Sequence, residues 1–470
     1  MTKAGTPIFR GIDVITFSIM ISLSAMGWFM IFAVGYGESG YPDSIPLFLK
    51  TQAGKQAIFL GVATILFLSI LIVDWKFWRT FSNPIYLGTI LLLVLVLVFG
   101  TEIKGARSWF HIFGFSIQPS ELAKFGTCLA VSDYLATVKI TASSRRALFY
   151  SALIFGVPAL LILLQPDAGS ALIFGSFVFV LFRNGLSPSF VLVTLYVITL
   201  LIAGIITPIP SLLFALLLLG NLVIAYSMKN RLVWMGLYVL ILASSLLVFN
   251  LDYHLEAILA NAGLLVISMI FYWRETSYDL PITVLGLITV GLLFAASSNF
   301  TFNNFLKPHQ QDRINVWLQP EKCDPHGSLY NLIQSRVAIG SGGFAGKGFL
   351  NGSMTRLNYI PEQSTDFIFS SIGEEHGFLG SIVVIGLFMV LIWRIILLAE
   401  KQRSLFSRNY AYCVAGILFT HIVINIGMTM GLFPIIGIPL PFISYGGSSL
   451  LGFTLMIGVL LKLDQNLKSV

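Results

Sequence analysis

The stretch IPEQSTDFIFSSIGEEHGFLG, residues 360–380, places a carboxylate, Asp366, where a polar segment becomes a long apolar run. Three further ionisable side chains, Glu374, Glu375 and His376, follow inside that run. An apolar run of this length is typical of a membrane helix. Ionisable groups in such a helix are costly and commonly mark a functional site. The stretch therefore indicates a membrane protein with chemistry at one end of a helix.

Apolar composition extends over the whole chain of 470 residues, of which 56% are hydrophobic and 10% charged, with a mean hydropathy of +0.88. These values exclude a water-soluble globular protein. We predict an all-α, polytopic membrane protein with about fourteen transmembrane helices and a large extracytoplasmic loop. The short runs 84–99 and 211–227 leave a re-entrant position open. The apolar runs of helical length lie near 14–35, 56–73, 84–99, 118–137, 147–164, 168–184, 189–206, 211–227, 232–250, 257–273, 280–298, 367–397, 410–430 and 445–461.

Lysine and arginine set the expected orientation, because cytoplasmic loops retain them and short exterior loops are depleted of them. With the N-terminus inside, the interior positions are Lys3, Arg10, Lys76, Arg79, Lys139, Arg145, Arg146, Arg183, Lys229, Arg231, Arg274, Arg394, Lys401, Arg403, Arg408, Lys462 and Lys468. The short exterior loops then contain only Lys50, Lys55, Lys104 and Arg107. We expect both termini in the cytoplasm and the segment from about 299 to 366 outside. The net charge of +7 then reflects topology, and no nucleic-acid partner is expected. The first run is expected to be an anchor, not a cleavable signal peptide.

The exterior segment is where polar residues concentrate. It contains the adjacent pair Asp312 and Arg313, a turn near Pro325 and an amphipathic stretch around 330–339. Glycines then follow at positions 340, 342, 343, 346 and 348. Backbone N–H groups of such a cluster can hold a phosphate, with Lys347 adding charge, but a flexible loop is an equal alternative. The spacing is not that of a nucleotide P-loop.

Ionisable groups also occur in the apolar runs. Glu121 and Lys124 in QPSELAK lie three residues apart on one helical face, where they can neutralise each other. Asp167 in QPDAGSA follows a proline, and we favour a helix cap over catalysis for it. His421 is alone in an apolar run, which favours a satisfied packing residue over a metal ligand.

The acids Glu374 and Glu375 have a glycine on each side, which predicts a local helix irregularity and hydrogen bonds to neighbouring helices. Cysteine adds little, since Cys128 and Cys413 lie in apolar runs and Cys323 is alone in the exterior segment. Neither a disulfide framework nor a metal cluster is expected from them.

Five motifs, in order along the chain, resemble those of the SEDS (shape, elongation, division and sporulation) glycosyltransferases. The resemblance covers about residues 10–185 and 300–465, and within the family it is closer to the elongation branch, the RodA-like proteins, than to the division branch. The motifs are QPSELAK, QPDAGSA, RVAIGSGGFAGKGFLNGS, IPEQSTDFIFSSIGEEHGFLG and IPLPFISYGGSS.

The resemblance implies a peptidoglycan glycosyltransferase that polymerises lipid II on the outer face of the bacterial cytoplasmic membrane during cell elongation. The essential acid of the family matches Asp366 in TDF, and its cavity-bordering Glu and Lys match Glu121 and Lys124. The acid of its QPD motif matches Asp167. The implied partners are lipid II, a class B penicillin-binding protein that crosslinks the strands, and other membrane proteins of the elongation complex.

The expected chemistry agrees with these residue types. Glycosyl transfer from a polyprenyl diphosphate needs a base for the acceptor hydroxyl, the role expected for Asp366, and cations at the leaving diphosphate. The candidate diphosphate contacts are Lys124 and, on weaker grounds, Arg313, Arg336 and Lys347. No cofactor is certain, and a divalent cation, Mg²⁺ or Mn²⁺, remains open.

Two features depart from the family pattern. In GARSW, Arg107 stands one place earlier than in many relatives, with Ser108 before the tryptophan. From about 186 to 299 the chain has five apolar runs where the family has one helix, so ten core helices plus about four give fourteen. We therefore divide the chain into N-terminal core helices (1–185), a helix with inserted extra helices (186–299), an extracytoplasmic catalytic loop (300–366) and C-terminal core helices (367–470).

Two other classes of function remain. The first alternative is a flippase that moves lipid II across the bilayer, but transporters place polar and broken helices near the midplane between repeats, and no internal repeat is seen here. The second is a non-catalytic scaffold for cell-wall enzymes, which would leave Asp366 without a role.

Overall fold

A computed structural model of the chain describes residues 11–37, 40–42, 44–103, 105–112, 115–137, 145–276, 279–324 and 327–467. Some positions used above lie outside the described residues: Lys3, Arg10, Lys104, Lys139, Lys468 and the turn near Pro325. The described chain separates into two compact units. The first runs to Ser187 and resumes at Arg313, and the second is Pro188–Asp312.

The first part of the chain is helical except for a small sheet. Its helices are α1 (Val14–Tyr36), α2 (Ile45–Phe48), α3 (Gln52–Ile72), α4 (Trp75–Thr80), α5 (Ser82–Phe99), α6 (Pro119–Thr137), α7 (Arg145–Leu164), α8 (Ala168–Ile173) and α9 (Phe177–Arg183). A 3₁₀ turn, Phe174–Ser176, joins the last two. The strands are β1 (Thr101–Ile103), β2 (Ala106–Ile112) and β3 (Phe115–Ile117).

The remaining elements follow in order. The second unit contains α10 (Pro188–Ile206), α11 (Ile209–Ser227), α12 (Arg231–Asn250), α13 (His254–Glu275) and α14 (Asp279–Asn304). After it come α15 (Pro308–Leu318), a 3₁₀ turn (Pro320–Lys322), α16 (Ser328–Ser341), α17 (Ser353–Arg356), α18 (Ile368–Lys401), α19 (Leu405–Met430) and α20 (Gly447–Leu467).

Every predicted apolar run is helical, and among the described residues twelve helices are long and apolar enough to cross a membrane. The short runs near 84–99 and 211–227 are two of the twelve. The other two predicted spans are α6 and the shorter segment Ala168–Arg183. The protein is therefore a polytopic, all-α membrane protein as expected, with twelve spans by length and composition instead of fourteen.

Helix α6 is more polar than the twelve apolar helices because protein, not lipid, surrounds it. It packs against α5, α7, α19 and α20, and its Glu121, Lys124, Thr127 and Ser132 are buried. Polar side chains are tolerated at membrane depth where other helices, not lipid, surround them. The sequence of α6 therefore reflects an interior position.

The three-stranded antiparallel sheet between α5 and α6 was not predicted. Strand β1 pairs with β2, with Glu102 opposite Arg107, and β2 pairs with β3. A glycine with φ of +82°, Gly105, forms the first turn. Strand β3 leads through Gln118 directly into α6, so the sheet positions the start of that helix.

A buried ion pair joins α1 to α18 at the end of α18 distant from Asp366. Arg394 donates from Nε and Nη2 to the carboxylate of Asp13, which also caps α1 through the amide N–H of Thr16. Burial alone would raise the pKa of Asp13, but the hydrogen bonds from Arg394 and Thr16 lower it to about 2. The pair therefore stabilises the contact between the two helices in its ionised form.

The second unit has a core of its own, formed by α10, α11, α13 and α14. Small residues allow close packing there, since a β-carbon at Gly204 would lie 2.4 Å from the carbonyl oxygen of Ala295. Polar contacts also join these helices, among them Asn221 Nδ2 to the carbonyl oxygen of Asn261 at 3.0 Å and the hydroxyl of Tyr196 to the carbonyl oxygen of Leu287 at 2.8 Å. The expected division of the chain into four segments remains a prediction.

Candidate functional site

Asp366 lies in the turn immediately before α18, with its side chain partly exposed. The turn is closed by the carbonyl oxygen of Glu362, which accepts hydrogen bonds from the amide N–H groups of Thr365 and Asp366 at 3.2 and 3.0 Å. Glu362 itself has φ of +57°, so the chain reverses direction there. The turn thus places a carboxylate at the beginning of a membrane-spanning helix.

A second segment, residues 435–446 (IIGIPLPFISYG), borders this turn, and we refer to it as the strap. The hydroxyl of Ser444 donates to the carbonyl oxygen of Thr365 at 2.6 Å, and the amide N–H of Tyr445 donates to Ser364 at 2.8 Å. Gly437 has φ of +72°, and a β-carbon there would lie 3.1 Å from Oδ2 of Asp366. The strap therefore approaches the carboxylate through a glycine.

Asn425 of α19 connects the turn to the strap. Its fully buried amide donates from Nδ2 to the carbonyl oxygens of Asp366 at 2.9 Å and Ile438 at 2.6 Å. One side chain thus fixes the backbone on both sides of the carboxylate.

A buried charged network lies next to the strap. Lys124 Nζ donates to Glu121 Oε1 at 2.8 Å, which confirms the predicted pair, and lies 2.9 Å from Nε2 of His421. Nδ1 of His421 lies 3.1 Å from the carbonyl oxygen of Pro439, a strap residue. The ring of Phe453 packs edge-on against His421, with the ammonium 5.3 Å from its centroid. Both nitrogens of His421 thus have partners, as expected of a satisfied buried histidine.

Glu121 faces an apolar groove of about 460 Å³ between α3, the start of α6 and α20. Apolar lining residues include Ile58, Phe59 and Leu451. The second carboxylate oxygen of Glu121, Oε2, is buried and has no hydrogen-bond partner among the described residues. A β-carbon at Gly452 would lie 3.3 Å from it. The groove therefore has an apolar wall beside a buried carboxylate, a combination suited to an amphiphilic ligand.

Asp167 has the cap role that the sequence favoured. Its carboxylate accepts from the amide N–H of Ser170 at 3.0 Å and from the hydroxyl of Ser170 at 2.8 Å. It also accepts from Nε2 of Gln118 at 2.9 Å, and Gln118 is a lining residue of the groove. The cap therefore also orients a polar group of the groove.

Lys347 and Glu374 form an ion pair instead of separate sites. Lys347 Nζ donates to Glu374 Oε1 at 2.7 Å and to the hydroxyl of Ser353 at 2.9 Å. Glu374 also accepts from the amide N–H groups of Met354 and Thr355, both at 2.9 Å, and from the Thr355 hydroxyl. The predicted hydrogen bonds from Glu374 to a neighbouring helix are thus confirmed, since Met354 and Thr355 belong to α17, in the segment that precedes α18. This carboxylate holds the segment onto α18.

The glycine cluster packs against an interruption of α18. Gly377 has φ of +62° and ψ of −158° inside the helix, which confirms the predicted irregularity. The freed carbonyl oxygens of Glu374 and Glu375 accept from the amide N–H groups of Lys347 and Gly348 at 3.0 and 2.9 Å. A β-carbon at Gly342 would lie 1.9 Å from a carbonyl oxygen of α18. The cluster therefore serves close packing, and these two N–H groups are not available to a phosphate.

The other predicted cations lie on surfaces. Arg313 on α15 and Arg336 on α16 are exposed, and Arg107 is exposed on β2. Among the described residues, no group of three or more His, Cys, Asp or Glu side chains is positioned to hold a metal ion.

Sequence reasoning missed three contributors: Asn425, Gly437 and Ser444. Ser444 belongs to the quoted motif IPLPFISYGGSS and Gly437 immediately precedes it, so a role for this part of the chain was visible in principle. Asn425 gave the weaker signal of a single amide in an apolar run.

Comparison with known proteins identifies close similarity over almost the whole chain. The profile of the FtsW/RodA/SpoVE family, described as cell cycle protein, matches residues 14–218 and 211–469. The peptidoglycan glycosyltransferase RodA of Treponema pallidum is 30% identical over 453 residues, 96% of this chain and 97% of its own. Stage V sporulation protein E of Bacillus subtilis is 29% identical over 455 residues, 96% and 97% of the two chains.

The fold is also found among solved structures. A chain of a peptidoglycan synthase complex, described for its coordination of polymerization and crosslinking, superimposes with a TM-score of 0.63 at 24% identity. The match covers 98% of this chain and all of that one.

Proposed function

The chain belongs to the FtsW/RodA/SpoVE family of cell cycle proteins, the SEDS family that its motifs resemble, and we propose that it polymerises lipid II into glycan strands as a peptidoglycan glycosyltransferase. The observation that best supports this role is the placement of Asp366. Its carboxylate is partly exposed in the turn before a 34-residue helix that is long and apolar enough to cross a membrane. A base at that depth reaches a sugar attached to a lipid, whereas a base far from the membrane surface does not.

In the proposed reaction Asp366 accepts the proton of the acceptor 4-hydroxyl. The oxygen of that hydroxyl attacks the anomeric carbon of the donor sugar. The bond from that carbon to the diphosphate oxygen breaks, and the diphosphate leaves with the electron pair. A diphosphate is a stable anion, so the second carboxylic acid that glycosidases use to protonate their leaving oxygen is dispensable. One carboxylate then suffices.

The backbone around Asp366 supports this role because it is held on both sides. Asn425 binds the carbonyl oxygen of Asp366, and Ser444 binds that of Thr365. A base contributes most when its geometry is fixed before the substrate arrives. The turn therefore needs no rearrangement to present the carboxylate.

The groove beside Glu121 is the proposed site of the lipid chain. Its apolar wall suits a polyprenyl tail, and Glu121, a lining residue paired with the buried Lys124, borders the place proposed for the polar head. Asp167 acts there through Gln118, which it orients. Lys124 is fully buried and donates to Glu121 and His421, so its proposed effect on the head group is electrostatic and not a direct contact.

The exposed Arg313 and Arg336 are the proposed cations for the diphosphate. Lys347 is the weaker candidate, because Glu374 and Ser353 already accept from its ammonium. A divalent cation, if one takes part, would be shared with the substrate, and the steps above do not depend on it.

We further propose that both termini are cytoplasmic in a bacterial cytoplasmic membrane, with the turn carrying Asp366 outside. The elongation role is proposed from AIGSGG and GKGFLNG, two parts of the motif RVAIGSGGFAGKGFLNGS that resemble the elongation branch. Overall identity does not distinguish the branches, because the RodA relative is 30% identical and the sporulation relative 29%. The proposed partner is a class B penicillin-binding protein, together with other membrane proteins of the elongation complex.

The decisive experiment uses the purified full chain with fluorescent lipid II, in detergent and in vesicles. Glycan polymer is the expected product. Translocation of lipid II across vesicles without polymer would favour the flippase alternative, and neither activity would favour a scaffold.

A further inference from the structure

We propose that His421 is a positioning residue that ties the Lys124 ammonium beside the groove to the strap next to Asp366. The inference rests on the proposed function, since it assigns these two ends of the network to one reaction. No motif in the sequence pointed to this histidine, which lies 297 residues from Lys124 along the chain.

The hydrogen-bond directions define the state of the ring. A carbonyl oxygen only accepts, so Nδ1 of His421 carries the proton that is donated to Pro439. An ammonium only donates, so Nε2 is the unprotonated acceptor for Lys124. The imidazole is therefore neutral, and its two nitrogens have different tasks.

The strap needs a side-chain donor because its prolines leave few backbone N–H groups that could bind its own carbonyl oxygens. Pro439 and Pro441 each lack an N–H group and prevent a helix or an inner strand. The carbonyl oxygens of Ile438 and Pro439 accept instead from two side chains one helical turn apart on α19, Asn425 and His421. Buried carbonyl groups left without a donor are costly, so both contacts define the path of the strap.

The Lys124 end of the link is equally constrained. Its ammonium is fully buried and needs acceptors, which are Glu121 Oε1 and His421 Nε2. Through His421, displacement of the ammonium is coupled to displacement of the strap, and Gly437 of the strap lies against Asp366. The coupling thus keeps the base and the Glu121–Lys124 pair, whose Glu121 lines the groove, at a constant separation, which transfer between two bound sugars requires.

Two substitutions separate the tasks of the two nitrogens. In His421→Asn the amide nitrogen takes the place of Nδ1, so the bond to Pro439 is retained and Lys124 loses its acceptor. In His421→Gln the amide oxygen takes the place of Nε2, so Lys124 keeps its acceptor and the carbonyl oxygen of Pro439 loses its donor. Because the role needs both ends, we expect each substitution to lower kcat about 10- to 100-fold, with KM for lipid II within about twofold of wild type.

The control is Tyr410→Phe. Tyr410 is fully buried on the same helix and donates to the carbonyl oxygen of Met456 on α20 at 3.1 Å, which is a structural bond of the same kind. We expect it to lower the melting temperature as the His421 variants do, but to keep kcat within about twofold of wild type. A double-mutant cycle adds a second readout. In the Lys124→Gln background, His421→Asn should cost no further rate, because the interaction that it removes is already lost.

The outcomes are distinct. If both His421 variants polymerise within twofold of wild type, or if their losses multiply with that of Lys124→Gln, the positioning role is wrong. If neither variant accumulates as folded protein, Lys124→Arg replaces them. It keeps the charge but not the contact geometry, so a near wild-type rate would equally overturn the proposal. If wild type and Tyr410→Phe make no polymer, the proposed function itself fails, and with it this role.

Discussion

Gly437 and Asp366 are neighbours across the boundary between the strap and the turn before α18: a β-carbon on Gly437 would lie 3.1 Å from Oδ2 of Asp366. That position also has φ of +72°, a conformation that favours glycine. Gly437→Ala should therefore crowd the carboxylate and strain the strap. We expect a loss of polymerisation rate of at least about tenfold, measured at matched amounts of folded protein.

Gly431→Ala is the matched control for this change. Gly431 has φ of +81°, so alanine there carries a similar backbone strain of about 1–2 kcal/mol. Its β-carbon would meet side-chain atoms of Leu332 at 3.4 and 3.5 Å and of Arg336 at 3.9 Å, which are ordinary contact distances. Equal losses of rate in the two variants would mean that strain, and not the approach to Asp366, is responsible.

Asp366→Asn tests the base directly. Asparagine keeps the size of the side chain but cannot accept the acceptor proton, so folding should be unchanged while polymerisation falls about 10²–10⁴-fold. Asp252→Asn, at an exposed position in the second unit, should leave the rate unchanged. A folded Asp366→Asn protein that makes long strands at near wild-type rate would exclude the base assignment and redirect attention to Glu121.

The pair of Lys347 and Glu374 offers a test of whether this lysine binds substrate. Glu374 accepts five hydrogen bonds from the segment that precedes α18, so Glu374→Gln should lower the free energy of unfolding by about 1–3 kcal/mol. Lys347→Met should likewise lower the melting temperature while the rate per folded molecule stays within about twofold. A large loss of rate without loss of thermal stability would instead indicate a contact of Lys347 with the diphosphate.

The ion pair between Asp13 and Arg394 should make stability depend on pH. Burial opposes ionisation of Asp13, but its hydrogen bonds lower the pKa to about 2, below the 3.8 of an unperturbed carboxyl. The stabilisation is therefore fully present above about pH 4 and is lost as the pH falls towards 2, with a size of about 2 kcal/mol. The melting temperatures of wild type and Asp13→Asn should differ at pH 7 and converge at low pH. A constant difference would contradict the assignment.

The orientation can be measured with single cysteines in a background where Cys323 is replaced by serine. Glu321→Cys and Arg403→Cys are both exposed positions, so burial does not limit their reactivity. In intact cells a membrane-impermeant thiol reagent should label the first and not the second. Labelling of both after lysis is the control, and the opposite pattern in intact cells would invert the proposed topology.

Local sequence patterns correctly predicted the features that depend only on residues within one or two helical turns. The pair of Glu121 and Lys124 follows from helical spacing, and the cap at Asp167 follows from a carboxylate at a helix start. The irregularity at Gly377 was visible as charges beside glycines. The spans α6 and Ala168–Arg183 were placed correctly as helices, although only the packed structure explains why α6 tolerates so many polar residues.

The sequence by itself thus determined that the chain lies in a membrane, where its helices are, and that Asp366 lies at the start of one of them. These features depend on the length of apolar runs and on spacing within one or two helical turns. Tertiary structure alone decided that His421 joins Lys124 to the strap, that Asn425 fixes the backbone of Asp366, and that Lys347 is paired with Glu374. These contacts join residues between 18 and 297 positions apart along the chain. A buried polar group requires a partner but does not specify which, and only the packing of the helices selects one.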